Sequence, residues 1–138
     1  MMVMELTARH VDDIPRANLR VSRSDFVALW RRAEHLDTID PSWYVAGVAM
    51  TCRWMACAPV PSVLGNWELA RAPVTQRVGL AHEELIASEL LAAAGRAFSN
   101  PRGIDGRPGW LEGIVATLQW AWAASPGPPL ELRCTIVG

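Results

Sequence analysis

The segment 41–58, PSWYVAGVAMTCRWMACA, constrains the fold more than any other part of the sequence, because Arg53 is its one charged residue. A helix that is apolar on every side must be covered by neighbouring elements. Asp40 is a suitable N-cap and Pro41 fits the first helical position, whereas Pro59 cannot continue the helical hydrogen bonds. We therefore predict a buried central helix over 41–58.

The same segment is poorly suited to crossing a membrane. A helix over 41–58 would be about 27 Å long, slightly shorter than the hydrocarbon core of a bilayer. Arg53 would have to enter the lipid, and Asp37 and Asp40 precede the segment where basic residues usually anchor a span. We therefore expect a water-soluble domain in the cytoplasm, with no membrane partner.

Arg53 lies on a face of the predicted helix that otherwise carries small side chains. These are Ser42, Ala46, Ala49 and Ala56. A neighbouring helix can approach such a face closely, so Arg53 must find a carboxylate or extend to the end of the bundle. The acidic candidates on the third and fourth predicted helices are Glu83, Glu84, Glu89 and Glu112. We predict a structural ion pair of Arg53 with Glu89 or Glu84.

Three further segments have apolar residues at helical spacing. They are 24–36 with Ser24 as the candidate N-cap, 74–98 with Thr75 as the candidate N-cap, and 110–124. The prolines and glycine within 59–73 predict a connection, in which Trp67 could act as an anchor. No internal repeat is apparent.

Both ends of the chain lack helical periodicity. We expect 1–23 to be an extended N-terminal arm and 126–138 to be a C-terminal tail, whose alternating apolar residues suit a short strand. A chain of 138 residues is long enough to bury one core. The sequence therefore predicts a mainly α single domain over 1–138, a bundle of about four helices around a buried central helix.

The charge pattern gives little support for nucleic-acid binding, since the net charge is −1. The stretch 1–37 carries the bases Arg9, Arg16, Arg20, Arg23, Arg31 and Arg32 and the acids Glu5, Asp12, Asp13, Asp25, Glu34 and Asp37. These charges nearly cancel, and the segment 41–58 that follows is too apolar to read a groove as a recognition helix. We expect no nucleic-acid partner.

The cysteines do not form a disulfide framework, because Cys52, Cys57 and Cys134 are odd in number and widely spaced. On a helix, Cys52 and Cys57 would point about 140° apart, so they could neither bridge nor share a metal. We expect free thiols in a reducing compartment.

Neither a metal site nor a catalytic centre is predicted. His82, Glu83 and Glu84 resemble the start of an HExxH zinc motif, but Ile86 occupies the position of the second histidine. The glycines of 103–109 do not follow a strand, as those of a phosphate-binding loop do. We therefore expect no cofactor and no enzymatic activity.

Tryptophan is the strongest anomaly of composition, since the chain has seven. An indole buries a large area in a core, but Trp120 and Trp122 lie about 200° apart on a helix, so one face cannot bury both. Exposed tryptophan is typical of protein interfaces. We therefore predict a partner-binding surface. Its candidate residues are Trp110, Trp120, Trp122, Arg102 and Arg107.

These features favour a small non-enzymatic protein that binds another protein chain, either a cognate partner or a copy of itself. Antitoxins, immunity proteins and inhibitors that neutralise a partner belong to this class. The alternative is a small-molecule sensor or an enzyme with a Trp-lined pocket among the helices. A partner-binding protein should expose a large apolar patch, whereas a pocket protein should enclose a cavity with convergent polar groups.

Overall fold

Five α-helices and one short hairpin make up the part of the chain that the structure, a computed structural model, describes. The described residues are 6–62, 64–99, 106–124 and 126–132. The elements are α1 (Ala8–Asp12), a 3-10 turn (Arg16–Asn18), α2 (Arg23–Ile39), α3 (Trp43–Met55), β1 (Pro59–Pro61), β2 (Trp67–Leu69), α4 (Glu83–Ser99) and α5 (Trp110–Ala123). The predicted mainly α bundle is confirmed. Across the described ranges, no helix is both long enough and apolar enough to cross a bilayer.

The helix α3 is the buried centre of the bundle. It packs against both α2 and α5, and α4 packs against α5. Val48, Cys52 and Met55 of α3 have no exposed surface. The neighbouring helices thus cover the apolar segment, as its composition predicts.

A serine hydroxyl caps α3 in place of the predicted Asp40. Ser42 Oγ accepts a hydrogen bond from the backbone N–H of Val45 at 3.1 Å. Asp40 instead follows the last residue of α2, where its N–H bonds to the carbonyl of Leu36. The α2–α3 connection is therefore very short, which forces the two helices to pack as neighbours.

The predicted start of α2 is two residues too late, because Ser22 rather than Ser24 is the cap. Ser22 Oγ accepts from the backbone N–H of Asp25 at 3.1 Å. Serine is a preferred residue at this position because its short side chain reaches the unpaired N–H groups of the first turn.

The start of α4 is also corrected, because Thr75 lies in an irregular segment and the helix begins at Glu83. Gln76 and Gly79 have φ angles of 61° and 130°, which no right-handed helix contains. The apolar spacing over 74–98 therefore corresponds to a helix only in its C-terminal part.

The helices α3 and α5 approach each other most closely at two glycines. A Cβ added at Gly47 would overlap the carbonyl oxygen of Trp110, and one added at Gly113 would overlap the carbonyl oxygen of Tyr44. The contact is reciprocal, as across a twofold axis. This close approach occurs at Gly47, while α2 packs on α3 where Arg53 binds Glu34.

The residues around this contact repeat in sequence, which corrects the prediction that the chain has no internal repeat. The repeated pattern is an aromatic residue, Gly, Thr and Trp at the same spacing: Tyr44, Gly47, Thr51 and Trp54 in α3, and Trp110, Gly113, Thr117 and Trp120 in α5. Each threonine hydroxyl donates to the carbonyl oxygen of its own glycine at 2.7 Å. The helix α2 packs on α3 and α4 packs on α5, and the two pairs meet at the glycines of α3 and α5.

The N-terminal segment is more ordered than the extended arm predicted over 1–23. It contains α1 and the 3-10 turn. The last residue of that turn, Asn18, has a buried side chain. Asn18 Nδ2 donates to the carbonyl oxygens of Met55 at 2.9 Å and Ala81 at 3.0 Å. These bonds hold the segment against the end of α3, because a buried amide must keep its partners.

The C-terminal tail runs over the surface of the bundle as far as it is described. Tyr44 Oη donates to the carbonyl oxygen of Pro129 at 3.1 Å, and Leu130 and Leu132 pack against the core. No strand forms within 126–132, and the rest of the predicted strand, 133–138, lies outside the described residues.

Candidate functional site

Arg53 forms its ion pair with Glu34 of α2, not with the predicted Glu89 or Glu84. Arg53 Nε donates to Glu34 Oε2 at 2.7 Å, and its Nη2 donates to Oε1 at 2.5 Å. Trp30 Nε1 also donates to Oε2, at 3.0 Å. The prediction failed because α2, rather than α4, packs against α3.

This pair is largely removed from water, since the side chains of Arg53 and Glu34 are 24% and 6% exposed. Burial alone would lower the pKa of Arg53, but the hydrogen bonds and negative charge of Glu34 outweigh it and raise the pKa. Burial also raises the pKa of the Cys52 thiol well above its ordinary value, and the charge of Glu34 adds to this. The cluster is therefore a closed structural pair with a neutral thiol beside it, and it does not provide a nucleophile.

Glu89 has a different role from the one predicted. Its carboxylate is buried and its Oε2 accepts from the backbone N–H groups of Val74 at 2.6 Å and Thr75 at 3.1 Å. The carboxylate thereby fixes the irregular segment before α4. Glu84 is exposed in the first turn of α4, where a negative charge suits the helix dipole.

The predicted tryptophan surface is wrong for two of its three indoles. Trp110 is 3% exposed and Trp120 is 6% exposed, so both belong to the core. Trp122 is half-buried, and the guanidinium of Arg20 lies 3.9 Å from the centre of its ring. The N-terminal segment thus covers the side of α5 that carries Trp122. From the helical spacing of Trp120 and Trp122 alone, we expected one of the two to be exposed to solvent.

Arg107 is exposed, as a partner-binding residue should be, but it already has aromatic contacts. Its guanidinium lies 5.0 Å from the ring centre of Trp110 and 5.8 Å from that of Trp43. Arg107 therefore already has cation–π contacts within its own chain. Arg102, the other predicted arginine, lies outside the described residues.

The most exposed aromatic surface lies at the opposite end of α3, on a hairpin. The helix ends when Cys57 adopts a left-handed conformation, with φ at 56°. The N–H groups of Cys57 and Ala58 then bond to the carbonyls of Trp54 and Arg53 at 3.0 Å, which satisfies the last turn. The chain leaves α3 at a fixed angle and enters β1 directly.

The two strands of the hairpin pair Pro59 with Leu69, Val60 with Glu68, and Pro61 with Trp67. Paired residues share a face and successive residues alternate between faces. Pro59, Pro61, Trp67 and Leu69 therefore form one face, which we call the outer face of the hairpin. All four are exposed. At the tip, Leu64 is 85% exposed.

The opposite face of the hairpin is directed toward the bundle. Val60 packs against the core, and Glu68 borders a cleft of about 150 Å³. The cleft is also lined by Met50, Arg53, Leu69, Ala70, Arg71 and Gln76. The hairpin therefore uses one face for folding and leaves Trp67 in solvent on the other, while Leu69, which is 37% exposed, also borders the cleft.

The larger recorded clefts do not have the aromatic lining expected of the alternative function. A cleft of about 320 Å³ is lined, among the described residues, by Arg16, Leu19, Val21 and Arg23. A void that does touch Trp54 measures about 10 Å³, which holds one water at most. His82, Glu83 and Glu84 are all exposed, and the described residues contain no group of three potential metal ligands.

The hairpin was missed as a site because each strand has three residues, too few for alternation to be visible in the sequence. A usable signal was present nonetheless. Gly65 and Asn66 lie between the Pro59-Val60-Pro61 segment and the Trp67 segment, and residues of these types between apolar runs are typical of hairpins.

No protein-family model, no curated protein and no solved structure matches this chain.

Proposed function

We propose that this chain is a non-enzymatic domain that binds another protein through the outer face of the hairpin. The observation that carries the proposal is the indole of Trp67, which is 63% exposed beside Leu69 and opposite Pro61. A tryptophan within an apolar patch is typical of the residues that dominate binding energy at protein interfaces. Antitoxins, immunity proteins and inhibitors that neutralise a partner belong to this class.

The backbone restraints on the hairpin support this proposal. Pro59 and Pro61 restrict β1, and the ordered end of α3 fixes where the hairpin begins. Val60 holds the inner face against the bundle. An interface that is ordered before binding loses little conformational entropy on association, so more of the contact energy appears as affinity.

A second exposed tryptophan provides a comparison. Trp43 lies at the start of α3, about 20 Å along the helix from the hairpin. Its ring is already contacted by the Arg107 guanidinium, whereas no cation–π contact to Trp67 is recorded in the described residues. Trp67 is therefore the better candidate for an anchor, and Trp43 is a matched control.

The alternative, a small-molecule sensor or enzyme with a Trp-lined pocket, has less support. Among the described residues, no indole lines the clefts of about 320 and 150 Å³; their lining consists of arginines and aliphatic side chains, with Glu68 and Gln76 in the smaller one. Ligand pockets are mostly apolar and aromatic, with a few convergent polar groups. The geometry thus favours protein binding.

The test compares the unaltered chain with Trp67→Ala and Trp43→Ala in quantitative pull-downs from the native cell, followed by calorimetry with the purified partner. We expect Trp67→Ala to weaken binding by about 2 kcal/mol or more, and Trp43→Ala to change it by less than about 1 kcal/mol. Circular dichroism would verify that both variants fold. Retention of every partner at unchanged affinity by Trp67→Ala would refute the proposal.

A further inference from the structure

The two edges of the hairpin differ in their free backbone groups. Ala70 N–H bonds to the carbonyl of Ala58 at 3.0 Å, and Ser62 N–H bonds to that of Asn66 at 2.7 Å. In antiparallel strands the bonded pairs recur at every second residue, so the Val60–Glu68 pair between them is also bonded. The backbone groups of the intervening residues therefore point away from the hairpin.

On β1 the outward residues are Pro59 and Pro61, which have no N–H to donate. This edge cannot complete the hydrogen bonds of another strand, a common protection of exposed edges. On β2 the outward residues are Trp67 and Leu69, each with an N–H and a carbonyl. Within the described parts of the chain, none of these four groups has a recorded hydrogen-bond partner. The β1 edge therefore cannot pair fully with another strand, whereas the β2 edge has free backbone groups for such pairing.

The side chains along β2 determine which side chains a third strand would need in order to pair with this edge. Trp67 and Leu69 offer an apolar surface on the outer face, while Glu68 presents a carboxylate on the opposite face. Glu68 forms no ion pair with the described residues; of the two arginines that line the same cleft, Arg53 is paired with Glu34 and Arg71 is exposed. Opposite charges directly across a strand pair stabilise it, and like charges destabilise it.

A second copy of the chain does not fit this edge. Two β2 edges joined across a twofold axis would run antiparallel, with the outward residues Trp67 and Leu69 facing each other. Glu68 of one copy would then lie directly opposite Glu68 of the other, which is a repulsive pair. The charge at the centre of the edge therefore favours a different chain with a basic residue at that position.

We propose that the β2 edge binds an extended segment of a partner protein as a third strand, with a basic side chain opposite Glu68 and apolar side chains beside Trp67 and Leu69. This inference rests on the proposed protein-binding function and specifies the partner's chemistry. Main-chain hydrogen bonds to β2 would provide affinity, and the alternating side chains would provide specificity.

The probes are three short synthetic peptides of alternating Thr and Val, in which the central Thr is replaced by Arg, Ala or Glu. Binding to the full chain is measured by fluorescence anisotropy. We expect the Arg peptide to bind about tenfold more tightly than the Glu peptide, with the Ala peptide between them. In Glu68→Arg the order should reverse. Equal affinities, or an unchanged order in Glu68→Arg, would overturn the inference.

A second measurement separates strand pairing from side-chain contact alone. Leu69→Pro removes an outward N–H without removing a β1–β2 bond, and Leu69→Ala removes only the side chain. The Arg peptide should lose at least about tenfold more affinity with Leu69→Pro than with Leu69→Ala, in variants of equal helical content. Equal losses would contradict strand pairing.

The failures of the two proposals are distinguishable. If the peptides bind without charge preference while Trp67→Ala still loses the natural partner, only the strand inference is wrong. If Trp67→Ala keeps every partner, the proposed function is wrong. Concentration-dependent dimerisation by light scattering that Leu69→Pro abolishes would show that a second copy occupies the edge, and would overturn the inference.

Discussion

Both carboxylate oxygens of Glu34 accept hydrogen bonds from Arg53, which ties α2 to α3 at the centre of the bundle. Trp30 donates a further bond to the same carboxylate. The relationship gives Arg53, the one charge in the apolar segment, a structural role.

Arg53→Met should therefore destabilise the fold by about 3–5 kcal/mol, because it leaves a buried carboxylate without its cation. Arg31→Met, at an exposed position of α2, should cost less than about 0.5 kcal/mol. Urea unfolding measures both. The double variant Glu34→Leu/Arg53→Met should recover most of the loss, since no unpaired charge remains. Equal stability of the two single variants would contradict this role.

Replacing Gly47 by alanine should lower the stability of the fold, whereas replacing Gly95 by alanine should raise it. Gly47→Ala places a methyl group against the backbone of Trp110 and should cost about 1–3 kcal/mol or more. Gly95 of α4 has open space around it, so Gly95→Ala should stabilise by about 0.5–1 kcal/mol through helix propensity. Thermal unfolding followed by circular dichroism compares them. A Gly47→Ala variant as stable as Gly95→Ala would show that the two helices are farther apart.

The two predicted partners of Arg53 can be compared with each other. Glu89→Gln removes the charge that binds the N–H groups of Val74 and Thr75, and should cost about 1.5–3 kcal/mol. Glu84→Gln loses only an exposed charge near a helix N-terminus, and should cost no more than about 1 kcal/mol. Chemical denaturation gives both values. A larger loss for Glu84→Gln would contradict the assignment.

The thiols should differ in reactivity. In a Cys134→Ser background, iodoacetamide should alkylate the half-buried Cys57 before the fully buried Cys52. Burial raises the pKa of both thiols, and most for Cys52. Peptide mass spectrometry after timed quenching identifies the modified residue. Faster modification of Cys52 would show that the α2–α3 interface opens readily.

The same pKa shift predicts how stability depends on pH. In the unfolded chain Cys52 ionises near its ordinary value of 9.0, whereas in the folded chain it stays protonated to higher pH. The unfolded state then binds fewer protons, so the free energy of unfolding is intact below pH 9 and falls above it, by up to about 1.4 kcal/mol per pH unit. Cys52→Ala should reduce this slope between about pH 9 and 10.

Local sequence signals predicted the helices well. The apolar segment 41–58 and the apolar spacing over 24–36 and 110–124 correspond to α3, α2 and α5, although the predicted N-caps Asp40 and Ser24 were each replaced by a serine two residues away. These signals act within a few residues, so they do not depend on tertiary packing. The exception is 74–82, where apolar spacing continues through residues held by the Glu89 carboxylate from a distance.

Contacts that depend on which helices are neighbours in space could not be predicted from these local signals. Arg53 binds Glu34 because α2 lies beside α3, and Trp122 is covered because Arg20 of the N-terminal segment crosses α5. Spacing along one helix does not identify which other element covers each face. The Gly-x-x-x-Thr repeat in α3 and α5 was readable, but its significance depends on the contact between the two glycines.

The matching patterns of α3 and α5 make the surface of α3 self-complementary, because α3 itself carries the aromatic residue and glycine that it recognises in α5. In the folded chain α5 covers this surface. A molecule in which the α4–α5 pair detaches would therefore expose a face that fits the same face of a second opened molecule. In such opened molecules, partial unfolding would be coupled to concentration, and helix exchange between chains would compete with refolding of each chain alone.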